Sequence, residues 1–143
     1  MVMSIDRSII GRSSEDYTCT VEAGKIKEFA AAIGENSDLF WNDAPAPIAP
    51  PTFSHIFRSG KMQLLMTDCG LDATKFLHGE HDITYYRPLR AGETVVYNIE
   101  LVDVIEKHGQ RSGPMDLVVL QTLVRDQSGN PIQKIRQTFV AKR

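Results

Sequence analysis

The sequence is short of cysteine, of net charge and of long hydrophobic runs, and each shortage removes a class of function. Its 143 residues include 2 cysteines, Cys19 and Cys69, at no metal-ligand spacing, which argues against a disulfide scaffold or a Cys-based zinc site. Two reduced cysteines suit a cytoplasmic protein. Lys and Arg number 16 against 18 Asp and Glu, a formal net charge of -2. Without a basic excess little is available to neutralise nucleic-acid phosphates, so no nucleic-acid partner is expected. No apolar run approaches the ~20 residues of a membrane span. The opening residues M-V-M-S-I-D-R-S-I-I-G lack the basic block and apolar stretch of a signal peptide. Also missing are the G-x-S-x-G elbow and the glycine-rich phosphate loops. There is no internal repeat, and the Ala/Pro stretch from Ala44 to Pro51 is too short for a domain linker.

What is present is an ordinary globular composition, 42% hydrophobic and 24% charged. It is expected to form one domain over residues 1–143 and to bury about two thirds of the surface of the unfolded chain. Tyr17 to Val21 alternates as a strand. Ile26, Phe29, Ala30 and Ile33 then fall on one helical face, with Gly34 as a left-handed stop. A second helix is expected after Pro50-Pro51, with Thr52 as N-cap. Phe53, Ile56, Phe57, Gly60 and Leu64 form its stripe, and it ends near Gly70. Gly60 inside it costs about 1 kcal/mol relative to Ala, which suggests a close packing contact.

From His78 the period changes to two. Ile83 and Tyr85 alternate with polar neighbours, and Val95, Tyr97, Ile99 and Leu101 mark one face of a long strand. Lys107 to Gly113 is a reversal. Leu117 to Val124 is nearly apolar on both faces, as in a central strand covered on both sides. Ser128-Gly129-Asn130 is a hairpin turn. The last strand buries Ile135, Phe139 and Ala141 and shows Lys134, Arg136 and Lys142. Strand, helix, helix and then long antiparallel strands make an α+β fold. One arrangement that satisfies the order is a curved sheet wrapped around a helix.

Three runs carry a family resemblance in order. A-G-K-I-K-E-F-A-A-A-I-G (Ala23 to Gly34), I-A-P-P-T-F (Ile48 to Phe53) and L-H-G-E-H-D-I-T-Y-Y-R-P-L-R-A-G-E-T (Leu77 to Thr94) resemble MaoC-like dehydratase domains of the N-terminal, FAS1-like class. The resemblance extends over almost the whole chain. It implies a hot-dog fold, and (R)-specific hydration of 2-enoyl thioesters or dehydration of 3-hydroxyacyl thioesters carried on coenzyme A or acyl-carrier protein. No cofactor is expected beyond the carrier of the acyl group. The resemblance also implies a catalytic Asp and His, because water must lose one proton while the α-carbon gains another. Backbone N–H groups around Thr52 to His55 would polarise the thioester carbonyl.

The departures from the family pattern fall in one loop. Family members read Gly-Asp-x-Asn-Pro-x-His after the first helix; this chain reads G-E-N-S-D-L-F. Glu35 stands at the Asp position, one methylene longer, and misplacement near 1 Å can cost about a hundredfold in rate. Phe40 stands at the His position and transfers no proton. With Trp41 beside it, the pair reads as acyl-pocket wall or subunit contact. In two-subunit family members one hot dog keeps the motif and its partner shapes the channel, and this chain resembles the second kind.

Other candidates are weighed beside these. His55, in the first turn of the second helix, and Glu35 are the catalytic candidates. Phe40, Trp41, Pro51, Thr52, Phe53, His78 and Gly79 are the substrate-binding candidates. His78 and Glu80 share a strand face and His81 points to the other, so a metal site there is not expected. Asp38 and Asp43 read as loop-capping acids, and His108 as solvated. Arg58, Lys61, Arg87 and Arg90 could meet phosphates, with scattered surface cations as the default. Three functions stay open: a channel-shaping subunit in a heterodimer with a catalytic MaoC-type hot dog, a self-sufficient homodimeric hydratase using Glu35, and an acyl-thioester-binding or thioesterase-like hot dog.

Overall fold

The computed structural model describes residues 5–43, 45–57, 65, 67–72 and 74–143. A five-stranded antiparallel sheet runs in the order β1-β3-β4-β5-β2. Its strands are β1 (Tyr17–Thr20), β2 (Phe76–Tyr85), β3 (Thr94–Gly109), β4 (Gly113–Asp126) and β5 (Pro131–Lys142). Helices α1 (Ala23–Ala32) and α2 (Asp38–Trp41) and a 3-10 turn, Pro51–Ile56, precede β2 in the chain.

Alternation sets the inner face of the sheet. Val95, Tyr97, Ile99 and Leu101 on β3 are buried, each apolar side chain worth about 1.5–3 kcal/mol when fully covered. On β4, Val118, Leu120, Thr122 and Val124 face the same way. The expectation that β4 is covered on both faces holds in part: the strand is central and Val119 on its outer face is buried, but Leu117 and Leu123 on that face stay partly exposed. Lys134, Arg136 and Lys142 mark a solvent face rather than an edge, because β5 lies inside the sheet and β1 and β2 are the edges.

The first helix ends as its sequence dictates. Gly34 takes φ 76°. Glu35 N–H reaches back to Ala30 O (2.8 Å) and Gly34 N–H to Ala31 O (3.2 Å), a Schellman closure. Ile26 and Ala30 are buried, but Ile33 is 47% exposed because the chain turns away at this cap. The second helix departs further from expectation. Pro50 and Pro51 start a 3-10 turn, with Thr52 inside it and exposed rather than capping it. Phe53 and Phe57 are buried as expected. Gly60 and Leu64, with Arg58 and Lys61, lie outside the described residues. Near the expected end, Cys69 N–H bonds Leu65 O (3.2 Å) and Gly70 has φ 86°.

The interior divides in two. At one end Ile5, Ile9, Leu65, Cys69, Leu101 and Phe139 pack with their neighbours. Beside them Asp116, with 2% of its side chain exposed, receives Arg143 through Nη2 (2.8 Å) and Nε (3.1 Å) and Arg7 through Nη2 (2.9 Å). Glu106 lies opposite Asp116 in the β3–β4 register and accepts from Arg143 Nη1 at 2.9 Å. Two carboxylates facing across a strand pair would repel; the guanidinium between them reverses the sign. At the other end Ile26, Ala30, Phe40, Phe53, Leu89 and Ile135 form a second cluster with Val21, Val124 and Ile132.

Candidate functional site

The site lies at this second end, where three irregular segments meet the sheet. Ser37 caps α2, its Oγ accepting from Leu39 N–H at 3.3 Å. The helix therefore begins immediately after Gly34-Glu35-Asn36 and turns Phe40 inward, where it is buried. Trp41 points away, 37% exposed, and its Nε1 donates to Glu35 O at 2.8 Å. The backbone of Glu35 thus ties α1 to α2 while its side chain is exposed. Asp38 is exposed in the first turn of α2, and Asp43 accepts from Lys27 Nζ at 2.7 Å.

The segment after α2 is laced to the turn after β2. Ile48 N–H donates to Leu39 O (2.9 Å), Ala49 N–H to Leu89 O (2.8 Å) and Ala91 N–H to Pro47 O (2.9 Å). Arg87 and Arg90 serve that turn: Arg87 Nη1 bonds Glu93 Oε1 (2.7 Å) and Arg90 N–H bonds Glu93 Oε2 (2.7 Å). Between the two segments opens a cavity of about 470 Å³, lined by Phe40, Ile48, Pro51, Tyr85, Leu89 and Gln133 among others. That volume is within the usual range for small-molecule pockets. Tyr85 closes one side, its hydroxyl donating to Pro51 O at 2.6 Å. Burial holds this phenol above the ordinary tyrosine pKa, partly offset by a hydrogen bond with Ser54, so it stays a neutral donor.

The 3-10 turn uses one of the donors expected to polarise a carbonyl. Phe53 N–H is bonded to Pro50 O at 3.0 Å. Thr52 and Phe53 do not line the cavity, and Phe53 instead meets Phe29 edge-on at 5.7 Å.

The expectation for the histidines is corrected by a bulge. His78 pairs with Phe139 and His81 with Gln137, with a register shift between His78 and Glu80. The extra residue, Gly79, restores His78 and His81 to one face. A Cβ at Gly79 would come 2.9 Å from Val140 Cγ2, which explains glycine there. His81 stacks on His55 (centroids 4.5 Å) and lies 5.5 Å from His78. Gln137 Nε2 is 3.2 Å from His81 Nδ1 and 3.5 Å from His78 Nε2. Three of the chain's 4 histidines therefore form a row from the 3-10 turn to the exposed edge strand, while His108 is exposed on β3. Among the described residues no group of three or more His, Cys, Asp or Glu is placed to hold a metal ion. Burial raises the Cys69 pKa above its ordinary value, which keeps the group a thiol.

The structure thus brings Phe40 and Pro51 to one cavity, His55 and His78 to a separate histidine row, and leaves Glu35 and Trp41 on the rim helices. Sequence reasoning missed Tyr85, Gln133 and Gln137 as site residues. Their signal was available: Gln133 and Gln137 fall at the spacing of Ile135 and Phe139, on the inner face.

A curved antiparallel sheet of this order, with a helical segment against its inner face, defines the hot-dog fold of MaoC-like hydratases and dehydratases. The family model for the FAS1-like, dehydratase domain region matches residues 8–135, and the chain belongs to that family. It is similar to a UPF0336 protein of Streptomyces coelicolor, 31% identical over 154 aligned positions covering 98% of this chain and 97% of that one. Its fold matches a chain of the truncated HadBC (3R-hydroxyacyl-ACP dehydratase) complex of Mycobacterium tuberculosis with TM-score 0.77, at 19% identity over 93% of this chain and 97% of that one. A MaoC-like dehydratase matches with TM-score 0.81 at 20% identity, over 94% of this chain and 42% of that one. Among the described residues no helix is long and apolar enough to cross a membrane.

Proposed function

We propose that this chain, acting as one hot-dog domain over residues 1–143, is the channel-shaping subunit of an (R)-specific enoyl-thioester hydratase or 3-hydroxyacyl-thioester dehydratase. Its partner is a second hot dog that carries the Asp/His loop. One observation carries the reading: Phe40, at the position where family members hold the catalytic His, is buried in the core and forms cavity wall. A phenyl ring there lines an acyl chain and moves no proton. Glu35 supports the same reading, since its backbone is engaged in the loop and its side chain lies exposed. The complex named for the HadBC neighbour shows that such folds are found in hetero-assemblies. The substrate is an acyl chain on coenzyme A or a carrier protein, with Phe40 and Pro51 on the acyl side.

The test is hydration of a short trans-2-enoyl-CoA, followed by loss of the enoyl absorbance. The pure chain is expected to turn over little substrate; addition of a subunit bearing the Gly-Asp-x-Asn-Pro-x-His loop is expected to give co-migration on a sizing column and robust activity. Glu35→Gln in that pair is expected to leave the rate within twofold. Robust turnover by the pure chain would overturn the proposal.

A second reading, a self-sufficient homodimeric hydratase, is favoured by the histidine row. His55, stacked on His81 at 4.5 Å beside Gln137, offers an acid that the loop lacks. Under that reading the pure chain is active and His55→Gln lowers its rate by about a hundredfold or more. A folded His55→Gln protein at full rate rules it out.

A further inference from the structure

Two glutamines stand four residues apart on the inner face of β5, and their amides meet different surroundings. Gln137 sets its amide against His81 and His78. Gln133 is 3% exposed and lines the cavity, and its Oε1 is buried with no hydrogen-bond partner among the described residues. Its cross-strand neighbours do not supply one. Tyr85, opposite on β2, donates to Pro51 O, and Val124, opposite on β4, is fully buried and apolar. A buried oxygen left unpaired destabilises the folded state, so a native chain that keeps one invites a donor from outside.

We propose that Gln133 is a ligand-recognising residue whose Oε1 accepts a hydrogen bond from a neutral N–H or O–H carried on an otherwise apolar chain in the cavity. The surroundings set the class of ligand. Phe40, Ile48, Ala49, Pro51, Pro88 and Leu89 form apolar walls, where an ionised group would be costly. Arg87 is the charged residue among those described as lining the cavity, and its Nη1 is already engaged by Glu93 and by Pro88 O. The inference rests on the acyl-thioester reading, which supplies two sources of such a donor. One is an amide N–H of a pantetheine-type arm, and the other is the hydroxyl of a 3-hydroxyacyl group.

Calorimetric titration of the full chain with three probes tests it. Crotonyl N-acetylcysteamine thioester has the amide alone, 3-hydroxybutyryl ethyl thioester has the hydroxyl alone, and crotonyl ethyl thioester has neither. One donor-bearing probe is expected to bind about tenfold tighter than the third, and which one does so identifies the source. Gln133→Leu is expected to erase that preference, so that the favoured donor-bearing probe binds no tighter than the third. It is also expected to raise the melting temperature, because the unpaired oxygen is gone. Gln133→Met serves as the second variant; loss of folding in both would mean that the amide is structural, and the proposal fails. Equal binding of the three probes, or a preference that survives Gln133→Leu, also overturns the assignment but spares the thioester reading. Binding of none, by the chain alone and by the chain with its Asp/His partner, overturns both.

Discussion

The two ends of the inner face handle buried polarity in opposite ways. At the closed end Asp116 is nearly sealed from solvent, and both its oxygens are bonded by Arg7 and Arg143. The chain's first described turn and its last residue are stitched together there. At the open end Gln133 is nearly as deeply buried and borders a cavity, yet among the described residues nothing bonds its oxygen. The first arrangement serves the fold, since every charge that is buried is answered from within. The second is a local inconsistency of the kind that proteins tolerate where they bind something. The contrast separates framework from function without reference to any relative.

The comparison can be broken from either side, starting with the largest effect. Asp116→Ala strands two guanidinium groups and leaves Glu106 with a weakened cluster. Because both arginines reach solvent, the loss is expected to be about 2–3 kcal/mol, below that of a fully buried pair, read as a lower urea midpoint at unchanged slope. A midpoint shift near zero would show that the closed end is not the framework. Phe40→Ala removes a buried ring that borders the cavity and is expected to cost about 2 kcal/mol, less than a Phe enclosed on every side. It also widens the cavity, so the assembled enzyme is expected to shift toward longer acyl chains. An unchanged chain-length profile would detach Phe40 from the channel.

The smallest effect concerns turns at both ends. Asp126 accepts from the N–H groups of Ser128 and Asn130, each at 2.9 Å, and from Asn130 Nδ2 at 3.0 Å. Asp6 accepts from Ser8 N–H at 2.9 Å and from Ser8 Oγ at 2.6 Å. Side-chain hydrogen bonds, from Asn130 and Ser8 respectively, are the main cause that holds each carboxyl below its ordinary 3.8. A depressed folded-state pKa gives stability that is present above the unfolded value and is lost as pH falls through the folded one. Asp6→Ala and Asp126→Ala should therefore each be less stable than the parent near neutrality. The difference should shrink below about pH 4, as the parent's own carboxylates are protonated. A gap that stayed constant down to pH 2 would assign the effect to the turns' geometry rather than their charge.

Much of the framework was legible in the sequence because it depends on periods. Val95 to Leu101, the Ser128-Gly129-Asn130 turn and the Gly34 stop each follow from local rules, and each stands where expected. The departures arise where one residue's geometry outweighs the pattern. Pro50-Pro51 favours a tight 3-10 turn, which moves Thr52 out of its capping role and uses Phe53 N–H. The site was legible in part. Phe40 and Pro51 reach the cavity, but Gln133 and Tyr85 arrive from strands whose approach to α2 no local rule encodes. Polar residues at inner positions were visible as exceptions to alternation; what they faced was not.

The extra residue at Gly79 has a consequence for how this edge tolerates length change. Up to His78 the inward positions of β2 are the even ones, Phe76 and His78, and beyond the bulge they are the odd ones, His81, Ile83 and Tyr85. Gly79 is thus the point where the strand changes phase. Its removal alone would leave a regular strand with the same side chains facing inward. The same deletion two or three residues later would rotate Tyr85 off the cavity or send Asp82 into the core. A deletion is therefore silent at one position of this strand and ruinous at its neighbours, which marks Gly79 as the place where the edge can shorten without losing its meaning.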